Sequence, residues 1–355
     1  MNFPATKARP RMLSVATENP GQRYSQSEIV ELFGVEDKKI QRLFSGGHIA
    51  GRYLTLPEDI RGGANRTETG EELAEKHRAL AISSGRSVVE RALQEADIQA
   101  EDIDYIVCVT STGFLCPGLS AHLTKQAKLR PDVHRLDVVG MGCNAGLNAL
   151  QPLVNYLSLS QSGYGLLVCA EICSASYVFD MTMRTAVVNS LFGDGVAAAV
   201  IGFDKDQAKS RGPEIHGFVS HILTDRIDAM RFDYDRGRYS FFLDRDIPYV
   251  IGENAEIPIN RLLGLHGVAQ HEVKHWIIHS GGRKVIDAIK FGLGISSHAV
   301  RHTDSVLHDL GNLSSGSFLF SHQRLLAENS AEVGDFAVMM TMGPGMTIEC
   351  CLARF

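Results

Sequence analysis

The chain has 355 residues, of which 44% are apolar and 21% charged, and it carries a net charge of −6. This composition is typical of a globular protein with a large core, and its negative charge argues against nucleic acid or an anionic membrane as the main partner. No apolar stretch approaches the ~20 residues that a membrane helix needs, and the basic amino-terminal segment lacks the apolar centre of a secretion signal.

The cysteines indicate the compartment. The chain has seven of them, an odd number, and most lie in apolar runs. In a chain of this length such cysteines are typical of reduced thiols. We therefore expect a cytoplasmic protein.

Buried strands and amphipathic helices alternate along the chain. The runs at 104–110 (DYIVCVT) and 165–171 (GLLVCAE) are apolar on both faces, as in a parallel sheet covered by helices. Between them, the run 137–150 carries Cys143 among glycines and leads into leucines at helical spacing. Pro152 interrupts that spacing, so we expect a helix that is kinked or begins in two pieces.

The second half of the chain weakly repeats the first. The segments that begin at Ile98 and Val268 match at an offset of 170 residues. The same offset aligns LLVCAE at 166–171 with FAVMMT at 336–341. Short apolar runs alternating with helical periodicity favour an α/β fold, and the repeat predicts that this fold is duplicated.

The predicted halves are residues 1–213 and 214–355, connected by the polar stretch 204–214. In open α/β sheets, ligands bind outside the carboxyl ends of the strands. Equivalent strand ends of two halves should meet near their symmetry axis, so chemistry is expected there. The positions predicted to converge are Cys143, His279 and Asn312.

These three side chains have complementary chemistry. Cys143 is predicted in the first turn of a helix, where free N–H groups and the helix dipole favour a thiolate. The imidazole of His279 can hold that thiolate and donate to a developing oxyanion, and the amide of Asn312 offers a second donor. Taken singly, the residues also fit a buried structural thiol, a core histidine and a helix N-cap.

One alternative is a nicotinamide-dependent oxidoreductase. The sequence GMGCNAG lies between a predicted strand and a predicted helix, and Glu171 closes the next strand, which approaches the dinucleotide-binding pattern. The motif lies deep in the chain, however, and places Cys143 where a pyrophosphate would lie. This alternative is therefore disfavoured.

A second alternative is a zinc site at HEVKH, residues 271–275. Zinc chemistry of this type needs both histidines on one face of a helix. Here the motif continues directly into the apolar strand HWIIH. We therefore interpret it as a helix-to-strand corner and expect no metal.

The motifs around the three residues are specific. With Cys143 in GMGCNAG, His279 in HSGG, Asn312 in GNLSS, LFGDG at 191–195 and GPGMTIE at 343–349, the chain resembles the type III polyketide synthases from about residue 12 onward. These belong to the chalcone synthase superfamily, within the thiolase fold. The resemblance implies a layered αβαβα core, a homodimer, and an acyltransferase that uses CoA thioesters as substrates and needs no cofactor.

The resemblance also implies roles for individual residues. Cys143 would carry the acyl chain, while His279 and Asn312 would hold the enolate formed when malonyl-CoA loses carbon dioxide. Phe192 and Phe241 would separate a CoA tunnel from the cavity. Lys39 and Arg42 would meet CoA phosphates, although Gly46 stands where the family has a third basic residue. Further substrate-binding positions are implied at Thr112, Cys116, Gly343, Pro344 and Gly345, and Cys116 would reach the cavity of the partner subunit.

Within the superfamily, VTSTGFLCPGLSA and RYSFFLDRDIPYVIGENAEI resemble the bacterial 3,5-dihydroxyphenylacetyl-CoA synthases of glycopeptide antibiotic pathways. That subgroup implies malonyl-CoA as both starter and extender, with four units cyclised into the product. A tetrahydroxynaphthalene synthase, an alkylresorcinol synthase and a non-catalytic protein of the same fold stay open as alternatives.

Overall fold

The computed structural model describes residues 8–57, 60, 68–203, 212–235 and 238–355. Most of the predicted connection at 204–214 lies outside these residues, so the boundary between residues 213 and 214 stays a prediction. Within the described part of the chain, no helix has both the length and the apolar character to cross a bilayer.

The described residues form strands and helices in alternation. The strands are β1 (Arg11–Glu18), β2 (Gln22–Ser25), β3 (Gly51–Leu54), β4 (Ile103–Val109), β5 (His134–Val138), β6 (Tyr164–Glu171), β7 (Gly195–Gly202), β8 (Glu214–Ile222), β9 (Met230–Asp235), β10 (Arg238–Leu243), β11 (Val273–Ile278), β12 (Phe336–Gly343) and β13 (Thr347–Arg354). The helices are α1 (Gln26–Leu32), α2 (Lys38–Gly46), α3 (Gly70–Ala96), α4 (Leu119–Gln126), α5 (Ala145–Ser160), α6 (Met183–Asn189), α7 (Ile247–Asn254), α8 (Glu256–His266), α9 (Arg283–Leu293), α10 (Arg301–Leu310) and α11 (Ser317–Glu328).

A mixed sheet of nine strands runs through the molecule in the order β11-β12-β13-β8-β1-β7-β6-β4-β5. In the first half, β4 is parallel to β6, and then β7 and β1 follow antiparallel. In the second half, β11 is parallel to β12, and then β13 and β8 follow antiparallel. The repeated strand order confirms the predicted duplication. The apolar runs 104–110 and 165–171 form β4 and β6, which are parallel as the pattern favours, and each half adds antiparallel strands that the pattern did not indicate.

The two halves meet at the centre of this sheet. Strands β1 and β8 pair only at Arg11 and Glu214, where the guanidinium also forms a 2.8 Å ion pair with the carboxylate. Helices α5 and α11 lie between the halves and contact strands of both, whereas α3 packs on the outer face of the first half and α8 on that of the second. The result is the expected layered α/β core.

Helix α5 runs unbroken through Pro152. The sequence predicts a helix that is kinked or begins in two pieces, because proline removes one backbone hydrogen bond. Leu147, Leu150 and Leu153 are fully buried in this helix, and each contributes roughly 1.5–3 kcal/mol by leaving water. Packing on both sides therefore outweighs the cost of the proline.

The HEVKH segment forms a corner, as predicted. His271 and Glu272 lie in a short 3₁₀ turn, whereas His275 lies in β11. The Nε2 atom of His275 is 3.0 Å from a carboxylate oxygen of Asp335. The two histidines therefore do not share a helix face, which the zinc motif would require.

Candidate active site

Cys143 lies in a 3₁₀ turn, Gly142–Asn144, between β5 and α5. The prediction placed it in the first helical turn, and the structure places it just before that turn. Gly142 has a φ of +68°, and a Cβ atom there would lie 2.5 Å from Pro344. A Cβ atom on Gly146 would lie 2.3 Å from the carbonyl oxygen of Ser315. These glycines therefore make room for the second half of the chain.

His279 directly follows β11. Its backbone N–H donates to the carbonyl of Met340 at 2.8 Å, which continues the pairing with β12. The ring is 2% exposed, and its Nδ1 atom is buried without a hydrogen-bond partner among the described residues. Nε2 is therefore the ring nitrogen that is left to face a ligand.

Asn312 is held by its backbone against the segment that carries Phe192. Its N–H donates to the carbonyl of Leu191 at 2.9 Å, and its carbonyl accepts from Gly193 at 3.0 Å. Its side-chain Oδ1 accepts from the N–H of Ser314 at 2.8 Å. Helix α11 begins only at Ser317, so Asn312 is not its cap. Oδ1 therefore faces Ser314, and Nδ2, which is the donor atom of the amide, is left for a ligand.

Cys143, His279 and Asn312 line one cavity of about 710 Å³. This volume is within the range of cavities that hold small-molecule ligands. Among the other predicted site residues, Phe192, Phe241 and Arg42 also line it. The cavity thus brings together a thiol, an imidazole and a carboxamide from both halves of the chain.

An aromatic cluster closes one side of the cavity. Phe192 and Phe241 meet edge to face with ring centroids 6.1 Å apart. Tyr177 lies 4.3 Å from Phe192, and Phe232 lies 4.8 Å from Phe241, again between centroids. Tyr177 could not be identified from the sequence, because it follows β6 in a stretch with no distinguishing motif.

The remaining predicted site residues do not line this cavity. Thr112 is buried, and its hydroxyl oxygen accepts from the N–H of Ile172 at 2.9 Å. Gly343 and Pro344 pack against the turn that carries Cys143. Outside the cavity also lie Gly345, in the turn after β12, and the exposed residues Lys39 and Cys116.

The cavity mouth is rich in positive charge. Arg42, Arg245, Arg283 and Lys284 all line it, together with Gly46 and the acidic Asp244. Arg283 is paired with Asp287 and Asp304, each at 2.9 Å. No residue that the structure describes forms an ion pair with the other three basic side chains. Arg245 and Lys284 could not be identified from the sequence, because only the fold places them in one cavity with Arg42 of α2.

The thiol of Cys143 is 6% exposed, and its sulfur lies 3.7 Å from the hydroxyl oxygen of Ser314. Burial raises the pKa of Cys143 to about 12; the Ser314 hydroxyl opposes this shift, and the nearby buried carboxyl of Glu171 adds to it. Glu171 itself accepts hydrogen bonds from the Ser315 hydroxyl and, at 3.0 Å, from the Ser111 N–H.

Burial also lowers the pKa of His279 to about 3. Both shifts favour the uncharged forms at neutral pH, which opposes the predicted thiolate. The amino end of α5 favours the thiolate by about 1 kcal/mol, which is less than one pKa unit. We therefore expect a thiol and a neutral imidazole in the substrate-free cavity.

This protonation state predicts how alkylation of Cys143 depends on pH. The reactive thiolate is a minor form below the raised pKa, so the rate with iodoacetamide should increase about tenfold per pH unit and still be rising at pH 9. Labelling of Cys143, followed by peptide mass spectrometry with glutathione as a reference thiol, measures this rate. A rate that is constant from pH 6 to pH 8 would instead indicate a preformed thiolate–imidazolium pair.

Two family models match the chain. One is described as "FAE1/Type III polyketide synthase-like protein" and matches residues 43–262. The other is described as "Chalcone and stilbene synthases, C-terminal domain" and matches residues 225–355. Together they include the turn with Cys143 and the segments with His279 and Asn312.

Individual relatives extend over nearly the whole chain. A 3,5-dihydroxyphenylacetyl-CoA synthase of Amycolatopsis balhimycina is 49% identical, over 97% of this chain and 93% of the relative. A 1,3,6,8-tetrahydroxynaphthalene synthase of Streptomyces peucetius subsp. caesius is 29% identical, over 96% of this chain and 92% of the relative. The crystal structure of 1,3,6,8-tetrahydroxynaphthalene synthase from Streptomyces coelicolor A3(2), a bacterial type III polyketide synthase, superposes with a TM-score of 0.89 at 25% identity, over 97% of this chain and 99% of that one.

Proposed function

Because the chain belongs to the type III polyketide synthases, we propose that it condenses four malonyl-CoA molecules into 3,5-dihydroxyphenylacetyl-CoA. The observation that carries the proposal is the cavity lined by Cys143, His279 and Asn312. The choice of product is supported by 49% identity to a 3,5-dihydroxyphenylacetyl-CoA synthase, against 29% to a tetrahydroxynaphthalene synthase.

The first step loads the cysteine. Sγ of Cys143 attacks the thioester carbonyl of a CoA substrate while its proton passes to Nε2 of His279. The bond between the carbonyl carbon and the CoA sulfur breaks, and the proton moves from His279 to that sulfur, so that CoA leaves as a thiol. Neutral imidazole is the form that can accept the proton, which agrees with the lowered pKa of His279.

The second step forms the new carbon–carbon bond. An extender malonyl-CoA loses carbon dioxide, and its thioester oxygen becomes the oxygen of an enolate. Between the two steps the imidazole exchanges protons with water, so that Nε2 carries the hydrogen. Nδ2 of Asn312 and Nε2–H of His279 donate to the enolate oxygen as the charge develops, an arrangement that lowers the barrier. The enolate carbon then attacks the carbonyl of the Cys143 thioester, the bond from that carbon to the Cys143 sulfur breaks, and the sulfur takes up a proton from water. The lengthened chain is now on CoA, and it returns to Cys143 by the first step for another round. No step requires a metal or redox cofactor.

Repetition sets the product. The 3,5-dihydroxyphenylacetyl group has eight carbons, which correspond to four two-carbon units, and each malonyl unit supplies two after decarboxylation. Loss of one water on cyclisation of the linear chain gives the two phenolic hydroxyls. Phe192 and Phe241 are proposed to separate the CoA side from the growing chain. Their burial in an aromatic cluster supports this role.

Incubation with malonyl-CoA as the sole substrate tests the proposed reaction. We expect 3,5-dihydroxyphenylacetyl-CoA, or the free acid after hydrolysis, by liquid chromatography and mass spectrometry. A five-unit tetrahydroxynaphthalene product or a requirement for a fatty acyl starter would instead identify another type III synthase. The absence of any polyketide would refute the proposal.

The CoA phosphates are proposed to bind at the positive cavity mouth. Lys39 and Arg42 lie on α2. Gly46 replaces the third basic residue of the family, and Arg245 and Lys284 are proposed to supply the positive charge in its place. Replacement of both Arg245 and Lys284 by alanine should raise KM for malonyl-CoA roughly tenfold per side chain, with kcat little changed.

Two comparisons make this prediction specific. The Arg245→Ala/Lys284→Ala variant should use malonyl-N-acetylcysteamine, which has no phosphates, as well as the wild type does. Arg261→Ala removes an equally exposed charge on α8, away from the cavity, and should leave KM unchanged. An unchanged KM for malonyl-CoA in the double variant would show that the phosphates bind elsewhere.

A homodimer is proposed, in which Cys116 shapes the partner's cavity. Cys116 is exposed and lies outside its own cavity, and the neighbouring Phe114 is 77% exposed. A second subunit covering this loop would remove an exposed aromatic side chain from water. CoA substrates and the absence of disulfides among the seven cysteines, all of which the structure describes, support a cytoplasmic location.

A further inference from the structure

Arg52, on β3, is fully buried in the structure. Arginine is seldom buried to this extent unless it is paired or hydrogen-bonded. Burial lowers its pKa to about 9, and the buried carboxyl of Asp194 opposes that shift. The guanidinium is therefore still positively charged at neutral pH. Because Arg52 does not line the cavity, the mechanism described above makes no use of this charge.

The Arg52 side chain holds the segment that carries Phe192. Its Nη1 donates to the backbone carbonyl of Phe192 at 2.7 Å, and its Nε donates to the side-chain oxygen of Gln26 at 3.1 Å. The amide nitrogen of Gln26 in turn donates to the carbonyl of Ser190 at 2.7 Å. Arg52 and Gln26 therefore bind carbonyls on both sides of Leu191.

The same segment fixes Asn312. The carbonyl of Leu191 accepts from the N–H of Asn312 at 2.9 Å, and the N–H of Gly193 donates to the carbonyl of Asn312 at 3.0 Å. Gly311, at a φ of +77°, passes so close to Arg52 that an added Cβ atom would lie 2.9 Å from its Cγ. The arginine thus packs against both backbone segments that set the position of the Asn312 amide.

We propose that Arg52 is a positioning residue. Through its hydrogen bond to the carbonyl of Phe192, it fixes the positions of the Phe192 ring and the Asn312 amide relative to each other. The inference rests on the proposed function, since it concerns the amide that receives the enolate. The hydrogen bond from Arg52 is made by a charged donor in a buried site, where such bonds are strong. A displacement of a catalytic donor by about 1 Å costs about a hundredfold in rate.

Three variants test the proposal. Arg52→Met removes the charge and the hydrogen bonds, Arg52→Lys retains the charge, and Gln26→Leu leaves Arg52 in place but removes its partner. We expect kcat for polyketide formation to fall about 10- to 100-fold in Arg52→Met and about threefold to tenfold in the other two. KM for malonyl-CoA should stay within about twofold of the wild type, because the basic residues at the cavity mouth are unchanged.

Two further measurements separate positioning from loss of structure. The rate of Cys143 alkylation and the midpoint of thermal unfolding report whether the nucleophile and the fold are intact. Arg130→Met removes a partly buried arginine that pairs with Asp104 at 2.8 Å. Arg130 lies between α4 and β5 and does not line the cavity, so this variant should retain full kcat. The lysine variant should recover part of the activity that the methionine variant loses.

Each outcome decides the proposal. Folded Arg52→Met with wild-type kcat would overturn it, as would an increase in KM with kcat unchanged. If Arg52→Met does not fold, wild-type kcat in both Arg52→Lys and Gln26→Leu overturns it equally, and reduced kcat in both supports it. A wild-type enzyme that makes no polyketide refutes the proposed function, whereas an active wild type with unaffected variants refutes only the role of Arg52.

Discussion

Cys143→Ala should abolish polyketide formation, with a decrease in rate of about 10⁴-fold or more. The variant has no sulfur to carry the acyl chain, so no condensation can follow. Loss of carbon dioxide from malonyl-CoA should persist at a reduced rate, because His279 and Asn312 are still present to hold the enolate. Product analysis by mass spectrometry, together with detection of acetyl-CoA, measures both reactions in one sample.

Cys351→Ala is the matched control. Cys351 is also a fully buried thiol, in β13, but it does not line the cavity. We expect it to retain activity close to that of the wild type. If Cys143→Ala makes polyketide at an undiminished rate, another group carries the chain and the assignment of the nucleophile is wrong.

Asn312→Asp should reduce both decarboxylation and condensation by about 10²- to 10³-fold. The substitution keeps the shape of the side chain, and one carboxylate oxygen can still accept from the N–H of Ser314. It replaces the Nδ2 donor with a negative oxygen, however, which repels the enolate. Steady-state release of carbon dioxide from malonyl-CoA measures the first effect, and product formation measures the second.

Asn260→Asp is the control for the added negative charge. Asn260 is exposed on α8, so this variant should keep wild-type activity. Acylation of Cys143 does not require the enolate, so it should persist in Asn312→Asp. Normal decarboxylation by Asn312→Asp would mean that the amide does not stabilise the enolate. A loss of acylation alone would assign Asn312 to the first step.

The sequence was sufficient for features that depend on local patterns. The apolar run 104–110 corresponds to β4, Ile103–Val109, and the run 165–171 to β6, Tyr164–Glu171. The repeat predicted the duplicated strand order. Cys143, His279 and Asn312 could be singled out because each lies in a short motif, His279 directly after a strand and the other two before a helix.

Other features depend on contacts between distant segments. Arg52 meets the carbonyl of Phe192 across 140 residues, and nothing beside Arg52 in the sequence distinguishes it from an exposed arginine. Arg245 precedes α7 and Lys284 lies in α9, and only the packing of these two helices brings both side chains to the cavity. The antiparallel strands were missed because a strand buried on both faces has the same apolar pattern in either direction.

The protonation state of Cys143 depends on both local and distant groups, and the thiolate stays a prediction that the pH dependence of alkylation tests. The start of a helix and a nearby histidine favour a thiolate, and both signals are present in the sequence. The opposing effect is the burial of the sulfur together with the carboxyl of Glu171, and both come from the tertiary packing of the two halves.

The central claim is that the polyketide chain is carried on the sulfur of Cys143. Peptide mass spectrometry on wild-type enzyme, quenched with acid seconds after mixing with malonyl-CoA, tests it most directly. We predict an acyl adduct on the peptide that contains Cys143, in amounts that follow turnover and disappear when substrate is exhausted. An unmodified Cys143 during turnover, or an adduct on Cys173 instead, would contradict the account.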